Sequence, residues 1–237
     1  GSSSAVTATG LGFQPDLVWV KDRDNGNNHC LVDAVRGVGK YIESNNTNAQ
    51  VDNATNSISA FTSDGFTTGT ANPANESAST TKGFAAFNWK ANGAGSLNEV
   101  GSIDSTVSAN TTAGFSIVKF TGTGANATVG HGLGAVPKMM IFKNLDEGAE
   151  GWMVYHVGIG NTKKLGFDST TTPSTSSTFW QDTTPTSTVF SVGSNHGMNG
   201  PDNMVAYCFA DVTGFSKFGT YTGNGNDDGP FIYTGFK

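Results

Sequence analysis

Arginine is nearly missing from this chain. Arg23 and Arg36 are the two in 237 residues. Charged residues make up 14%, against about 25% in ordinary globular domains. The net charge is −6. A nucleic-acid surface needs a clustered basic face, so no nucleic acid is expected as a partner. Cysteine is scarce too: Cys30 and Cys208 are too few for a dense disulfide scaffold. Each sits in an apolar or aromatic run, where buried free thiols are usual, and one long-range bridge is the alternative. The histidines are His29, His131, His156 and His196, and no two stand at metal-ligand spacing. No metal and no cofactor is therefore expected. No apolar run approaches the ~18 residues of a membrane span, so no membrane insertion is expected. No basic, apolar-cored leader is visible at the start of this chain.

What fills the chain is small and polar. Gly (32), Thr (30), Ser (22) and Asn (22) occupy 106 positions. Aromatics still reach 11% and fall into periodic apolar clusters, which argues against disorder. Good helix formers are sparse, and no long stretch repeats every 3.6 residues. Short β-branched and aromatic runs recur instead, bounded by Gly, Asn, Asp and Pro. Examples are Leu17–Val20, Phe84–Trp89, Phe115–Phe120, Met139–Phe142, Trp152–Tyr155, Thr188–Val192, Met204–Phe209 and Phe231–Tyr233. The pattern predicts an all-β chain with Gly- and Asn-rich turns. One helical turn is expected between Leu31 and Tyr41, weakened by Gly37 and Gly39.

An internal repeat organises these runs. Gly10 and Gly132, Gly12 and Gly134, Pro15 and Pro137, Lys21 and Lys143, and Asp24 and Asp146 all stand 122 residues apart. Phe84–Trp89 resembles Met204–Phe209, and Gly65-Phe66 resembles Val189-Phe190. Gly114-Phe115-Ser116 leads to Thr121-Gly122-Thr123-Gly124, and Gly214-Phe215-Ser216 leads to Thr222-Gly223-Asn224-Gly225. Repeated motifs in one order imply a domain-sized duplication. We expect two related β-sandwich or jelly-roll-like units, 1–100 and 101–237. The division is placed in Ala91–Asn110, where Gly, Ala, Ser and Asn thicken and strand character lapses. The second unit closes on a run, Phe231–Lys237, that looks like the opening of a further unit. Either the chain is cut from a longer tandem array, or its terminal strands complete each other's sheets by strand addition.

Chemical motifs are weak throughout. Gly37-Val38-Gly39-Lys40 lacks the first glycine and the final Ser or Thr of a phosphate loop. Asp22–Asn28 and Asn224–Gly229 invite calcium but lack the EF-hand order of ligands, and read as polar turns. No Gly-x-Ser-x-Gly elbow occurs. Carboxylates such as Glu43, Glu99, Asp16, Asp33 and Asp104 carry no motif for glycoside hydrolysis. No catalytic residue is assigned. Trp19, Trp89 and Trp152 lie in apolar runs and are expected in the core. Trp180 follows the polar stretch Ser169–Thr178. It is the one candidate ligand-binding residue, read as an exposed aromatic on a loop.

Five phrases carry a resemblance. They are Gly-Phe-Gln-Pro-Asp-Leu-Val-Trp-Val-Lys (12–21), Phe-Asn-Trp-Lys-Ala (87–91), Thr-Val-Gly-His-Gly-Leu-Gly (128–134), Ala-Tyr-Cys-Phe-Ala (206–210) and Gly-Phe-Ser-Lys-Phe-Gly-Thr-Tyr-Thr-Gly-Asn-Gly (214–225). The chain resembles an uncharacterised repeat domain of marine bacteriophage structural proteins, found in tail-fibre-like or virion-appendage settings. The resemblance implies a non-enzymatic virion component on the particle surface, acting by assembly and adhesion. Its partners would be other copies of itself, other virion proteins or a host surface glycan. A carbohydrate-binding module of a secreted bacterial protein ranks second, and a glycan-degrading enzyme third.

Overall fold

A computed structural model of the protein describes residues 4–75 and 82–236. The chain is all-β. In the first half the strands are β1 (Thr7–Ala8), β2 (Leu17–Asp22), β3 (Cys30–Asp33), β4 (Lys40–Tyr41), β5 (Val51–Asp52), β6 (Ile58–Thr62), β7 (Gly65–Thr68) and β8 (Phe84–Trp89). Then follow β9 (Ser96–Asn98), β10 (Ser105–Asn110), β11 (Phe115–Thr121), β12 (Ala127–Gly130), β13 (Met139–Asn144), β14 (Met153–His156), β15 (Lys163–Gly166), β16 (Ser174–Thr175), β17 (Val189–Val192) and β18 (Asn203–Phe209). Two four-residue helices interrupt them, α1 (Ser177–Trp180) and α2 (His196–Asn199). The helical turn expected near Leu31–Tyr41 is a single turn closed by the Gly37 amide on the Asp33 carbonyl, and it does not extend into a helix. β3 and β4 occupy that stretch, joined by a turn in which the Asp33 carboxylate accepts from the Val35 and Arg36 amides.

These strands stack in layers. The outer sheet β1-β7-β6 covers one face of β3-β2-β8. The other face of β3-β2-β8 looks onto an eight-stranded sheet ordered β16-β15-β14-β13-β18-β11-β10-β9. The far face of that sheet is covered by the β12–β17 pair and by α1. Period-two alternation assigns the faces. Val18, Val20 and Cys30 join the cluster under β7, while Leu17 and Leu31 turn toward the large sheet. In β18, Met204, Ala206 and Cys208 point one way and Val205 and Tyr207 the other. Both faces of β18 are buried, which is why Met204–Phe209 reads as an unbroken apolar run.

Two pairings recur in one register. β2 meets β8 with Leu17 opposite Trp89, Val20 opposite Ala86 and Asp22 opposite Phe84. β13 meets β18 with Met139 opposite Phe209, Phe142 opposite Ala206 and Asn144 opposite Met204. The first partner shifts by 122 residues and the second by 120, so every opposed pair is kept.

Ala91–Asn110 departs from its expectation of lapsed strand character. It holds β9 and β10, and both lie in the large sheet, β10 between β9 and β11. β9 falls inside residues 1–100 by number, yet it pairs only with β10 beyond the expected division. Its pairing comes from the partner strand and not from apolar alternation, because Ser105–Asn110 is mostly Ser, Thr, Ala and Asn.

Candidate functional site

The facing sheets do not close completely. A cleft of about 730 Å³ remains between β2, β3 and β8 on one side and β11, β13, β14 and β18 on the other. Its walls are aromatic. Trp89 lies 6.3 Å from Phe115 and 6.4 Å from Phe209, and the last two are 5.0 Å apart. Further along β2, Trp19 meets Phe167 at 5.6 Å and Phe87 at 5.9 Å. The Trp19 indole N–H donates to His29 Nδ1 at 3.3 Å. Burial, helped by nearby Lys21, holds the His29 pKa below its usual range, which suits an accepting neutral ring. Polar lining is limited to Asn88, Lys90 and Ser216.

Behind this cleft a sealed polar trio joins the two halves. The Tyr207 hydroxyl donates to Asp33 Oδ2 at 2.8 Å and accepts from Arg36 Nη2 at 3.3 Å. Arg36 Nε also pairs with Asp33, and both side chains are fully buried. Burial works against the Arg36 charge, but Asp33 and Tyr207 outweigh it and hold the guanidinium protonated. Burial pushes the Tyr207 phenol well above its ordinary value. The half-to-half joint is completed by the Trp152 indole N–H, which donates to the carbonyls of Glu43 (3.0 Å) and Asn46 (3.1 Å). These groups have no exposed face, so their chemistry is fixation of the two sheets.

Trp180 is not where the sequence places it. It is 1% exposed. Ser176 caps α1 by accepting from the Thr178 amide, and Gln181 ends it in the left-handed region at φ 54°. That single turn rolls Phe179 and Trp180 inward. Trp180 packs on Phe142 at 5.3 Å and Tyr155 at 5.6 Å, and its indole N–H donates to the Lys163 carbonyl at 2.8 Å. It is a core anchor with no face for a ligand. Trp152 is buried as expected, whereas Trp19 and Trp89 are half-buried and line the cleft.

The Asp22 loop is closed by its own amides. Asp22 accepts from the Asp24 and Asn25 backbones and from the Asn25 and Asn27 side chains, and Lys21 Nζ donates to the carbonyls of Asn25 and Asn27. The matching loop 122 residues on repeats this: Asn144 accepts from Asp146 and Glu147, and Lys143 Nζ donates to the Asn144 and Glu150 carbonyls. Among the described residues no group of three His, Cys, Asp or Glu side chains could hold a metal. Cys30 and Cys208 are buried free thiols in separate core clusters. Burial pushes each up to about 12.

One further feature borders the cleft. β18 is flanked by β13 and β11. β8 is flanked by β2, and among the described residues no strand pairs with its other edge. Phe87 on β8 is 55% exposed. Residues 214–236 lie outside every sheet and display Phe215, Tyr221, Phe231 and Tyr233 to solvent.

The family model for a domain of unknown function, DUF7483, matches residues 1–237. The chain belongs to this family. No curated protein and no solved structure matches it. Among the described residues no helix is long and apolar enough to cross a membrane.

The sequence reading missed both the cleft and the open edge. The signal was there in part: Trp19, Phe87 and Trp89 are odd-numbered residues of paired strands and so share a face.

Proposed function

We propose that this chain is a non-enzymatic structural module of a phage virion, of the tail-fibre, appendage or decoration type. It acts by assembly with other copies or other virion proteins and by adhesion at the particle surface. One observation carries this reading. Among the described residues, an unpaired strand edge at β8 and an aromatic segment at 214–236 outside every sheet occur together. An open edge is a template for another strand, and exposed aromatics in series are an interaction surface. The reading includes the duplication: two copies of one unit, each built around a β2–β8 or β13–β18 pair. The buried Arg36–Asp33–Tyr207 trio also supports a structural role, because its polar groups are bonded to one another across the two halves.

The carbohydrate-module alternative draws no support from the cleft. Sugar hydroxyls need hydrogen-bond partners, and the cleft walls are almost wholly apolar. Light scattering on the eluted protein across a concentration series tests the proposal. The expected result is a closed oligomer or a mass that grows with concentration. A monomer of 24.5 kDa at every concentration, with saturable binding of a defined sugar, would replace it with the carbohydrate module.

A further inference from the structure

We infer that residues 215–222 of a second copy of this chain add as an antiparallel strand to the open edge of β8. This rests on the assembly reading above, and it names the donor, the acceptor and the register.

The precedent is inside the molecule. β18 takes β13 on one edge and β11 on the other. β8 repeats the β18 pairing to its first neighbour residue for residue, and among the described residues its second place is unfilled. The strand that fills the place beside β18 begins Gly114-Phe115-Ser116 and ends Thr121-Gly122. Gly214-Phe215-Ser216 and Thr222-Gly223 repeat those ends with one extra residue between them. One added residue in an antiparallel strand is a β-bulge. The donor segment is therefore present in the chain, and it belongs to no sheet, its one pairing being the isolated bridge from Ser216 to Val212.

Transferring the register fixes the contacts. Phe115 faces Phe209, Ser116 faces Cys208, Phe120 faces Met204 and Thr121 faces Asn203. Their counterparts set Phe215 opposite Trp89, Ser216 opposite Asn88, Tyr221 opposite Phe84 and Thr222 opposite Gly83. Two features of β8 fit this partner. Among the described residues Asn88 Oδ1 is buried with no hydrogen-bond partner, and the Ser216 hydroxyl, which donates to the Ala210 carbonyl in the single chain, is a donor that can be exchanged onto it. Trp89 gains Phe215, a ring that is 63% exposed in the single chain.

The donor comes from another copy because, although Phe215 and Ser216 line the cleft with Asn88 and Trp89 in their own molecule, Ser216 is tied there to Val212 and Ala210 and the segment then runs toward β14. Asp211 accepts from the Phe218 amide at 2.8 Å and pairs with Lys217 at 3.2 Å. Phe218 packs on Phe209 at 6.2 Å, and the Thr220 methyl lies on Gly158, just past β14. β14 is on the far side of β13 from β18. Trp89 of β8, by contrast, sits on Phe115 of β11.

Cysteine cross-linking tests this. Asn88→Cys and Ser216→Cys are made separately and mixed under mild oxidation, with melting curves checking that each folds. Opposed residues of an antiparallel pair lie within disulfide reach. The native thiols are buried and stay out of the reaction. The expected result is a covalent heterodimer, about tenfold more than from either variant alone or from Asn88→Cys with Lys217→Cys, since a one-residue slip turns the side chain to the other face. Parent protein that self-associates while the mixture gives no disulfide overturns this register and leaves the assembly reading standing. A parent that stays monomeric overturns both. A double variant that closes an intrachain disulfide as a monomer shows the strand folding back on its own β8 and overturns the second-copy donor.

Discussion

β8 and β18 are the same kind of strand in two settings. Each is six or seven residues of apolar and aromatic sequence, and each meets its β2 or β13 neighbour in one register. β18 has a second neighbour in β11, and its residues Met204–Cys208 are buried. β8 has no such neighbour among the described residues, and Ala86 and Phe87 are exposed. Sequence alone does not decide burial here. The setting does: β18 lies inside the large sheet with both faces covered, and β8 lies at the end of its sheet. The difference teaches where the proposed association would fall: an apolar strand half-paired among the described residues is a template for another strand, and Phe87 is exposed on it.

Matched substitutions at the two strands should give the widest contrast. Ala206→Asp places a carboxylate in the closed core of the large sheet. It should cost more than about 4 kcal/mol and leave little folded protein. Ala86→Asp, at the counterpart position, should shift the melt of dilute protein by less than about 1 kcal/mol. Thermal melts of the pair check this, and equal losses would end the comparison. Tyr207→Phe ranks next. It strips the hydroxyl that bridges Asp33 and Arg36 and leaves a buried acceptor short of a donor. The expected cost is about 1–3 kcal/mol in urea unfolding. Phe87→Leu, the counterpart site, should change it by less than about 0.5 kcal/mol.

Cys208 sharpens the contrast at a smaller scale. Burial raises its thiol from an ordinary value near 9 to about 12. The unfolded chain therefore loses this proton first. The stability that this group contributes is whole below pH 9 and drains away as pH rises toward 12. Parent minus Cys208→Ala stability should fall across that window by at most about 1.4 kcal/mol per pH unit. Denaturant melts at pH 8, 9.5 and 11 measure it, and a flat difference would contradict the buried setting of β18. In the same protein at pH 8, a thiol reagent should label neither cysteine until the chain unfolds.

Much of this fold is legible in the sequence, and the limits have physical causes. β2, β8, β11, β13 and β18 are visible because their apolar runs are long and bounded by turn formers. The shared 122-residue spacing also points to the Lys21 and Lys143 loops, which close in the same way. β9 and β10 are not legible, because Ser, Thr and Asn carry no alternation and β11 supplies their order. Trp180 misleads because a four-residue helix is too short to show a period, while its polar neighbours imitate a surface loop. The cleft is invisible for a different reason. It arises where two sheets fail to meet, and no local pattern records that.

Hydrogen exchange at the two strands, followed across a protein concentration series, bears most directly on the central claim. β18 amides should stay protected at every concentration, since their protection is internal. The account predicts that the amides of residues 84–89 that point away from β2 exchange quickly in dilute protein and slow together with residues 215–222 as concentration rises. Exchange at 84–89 that ignores concentration, or that already matches β18 in the dilute monomer, would contradict it.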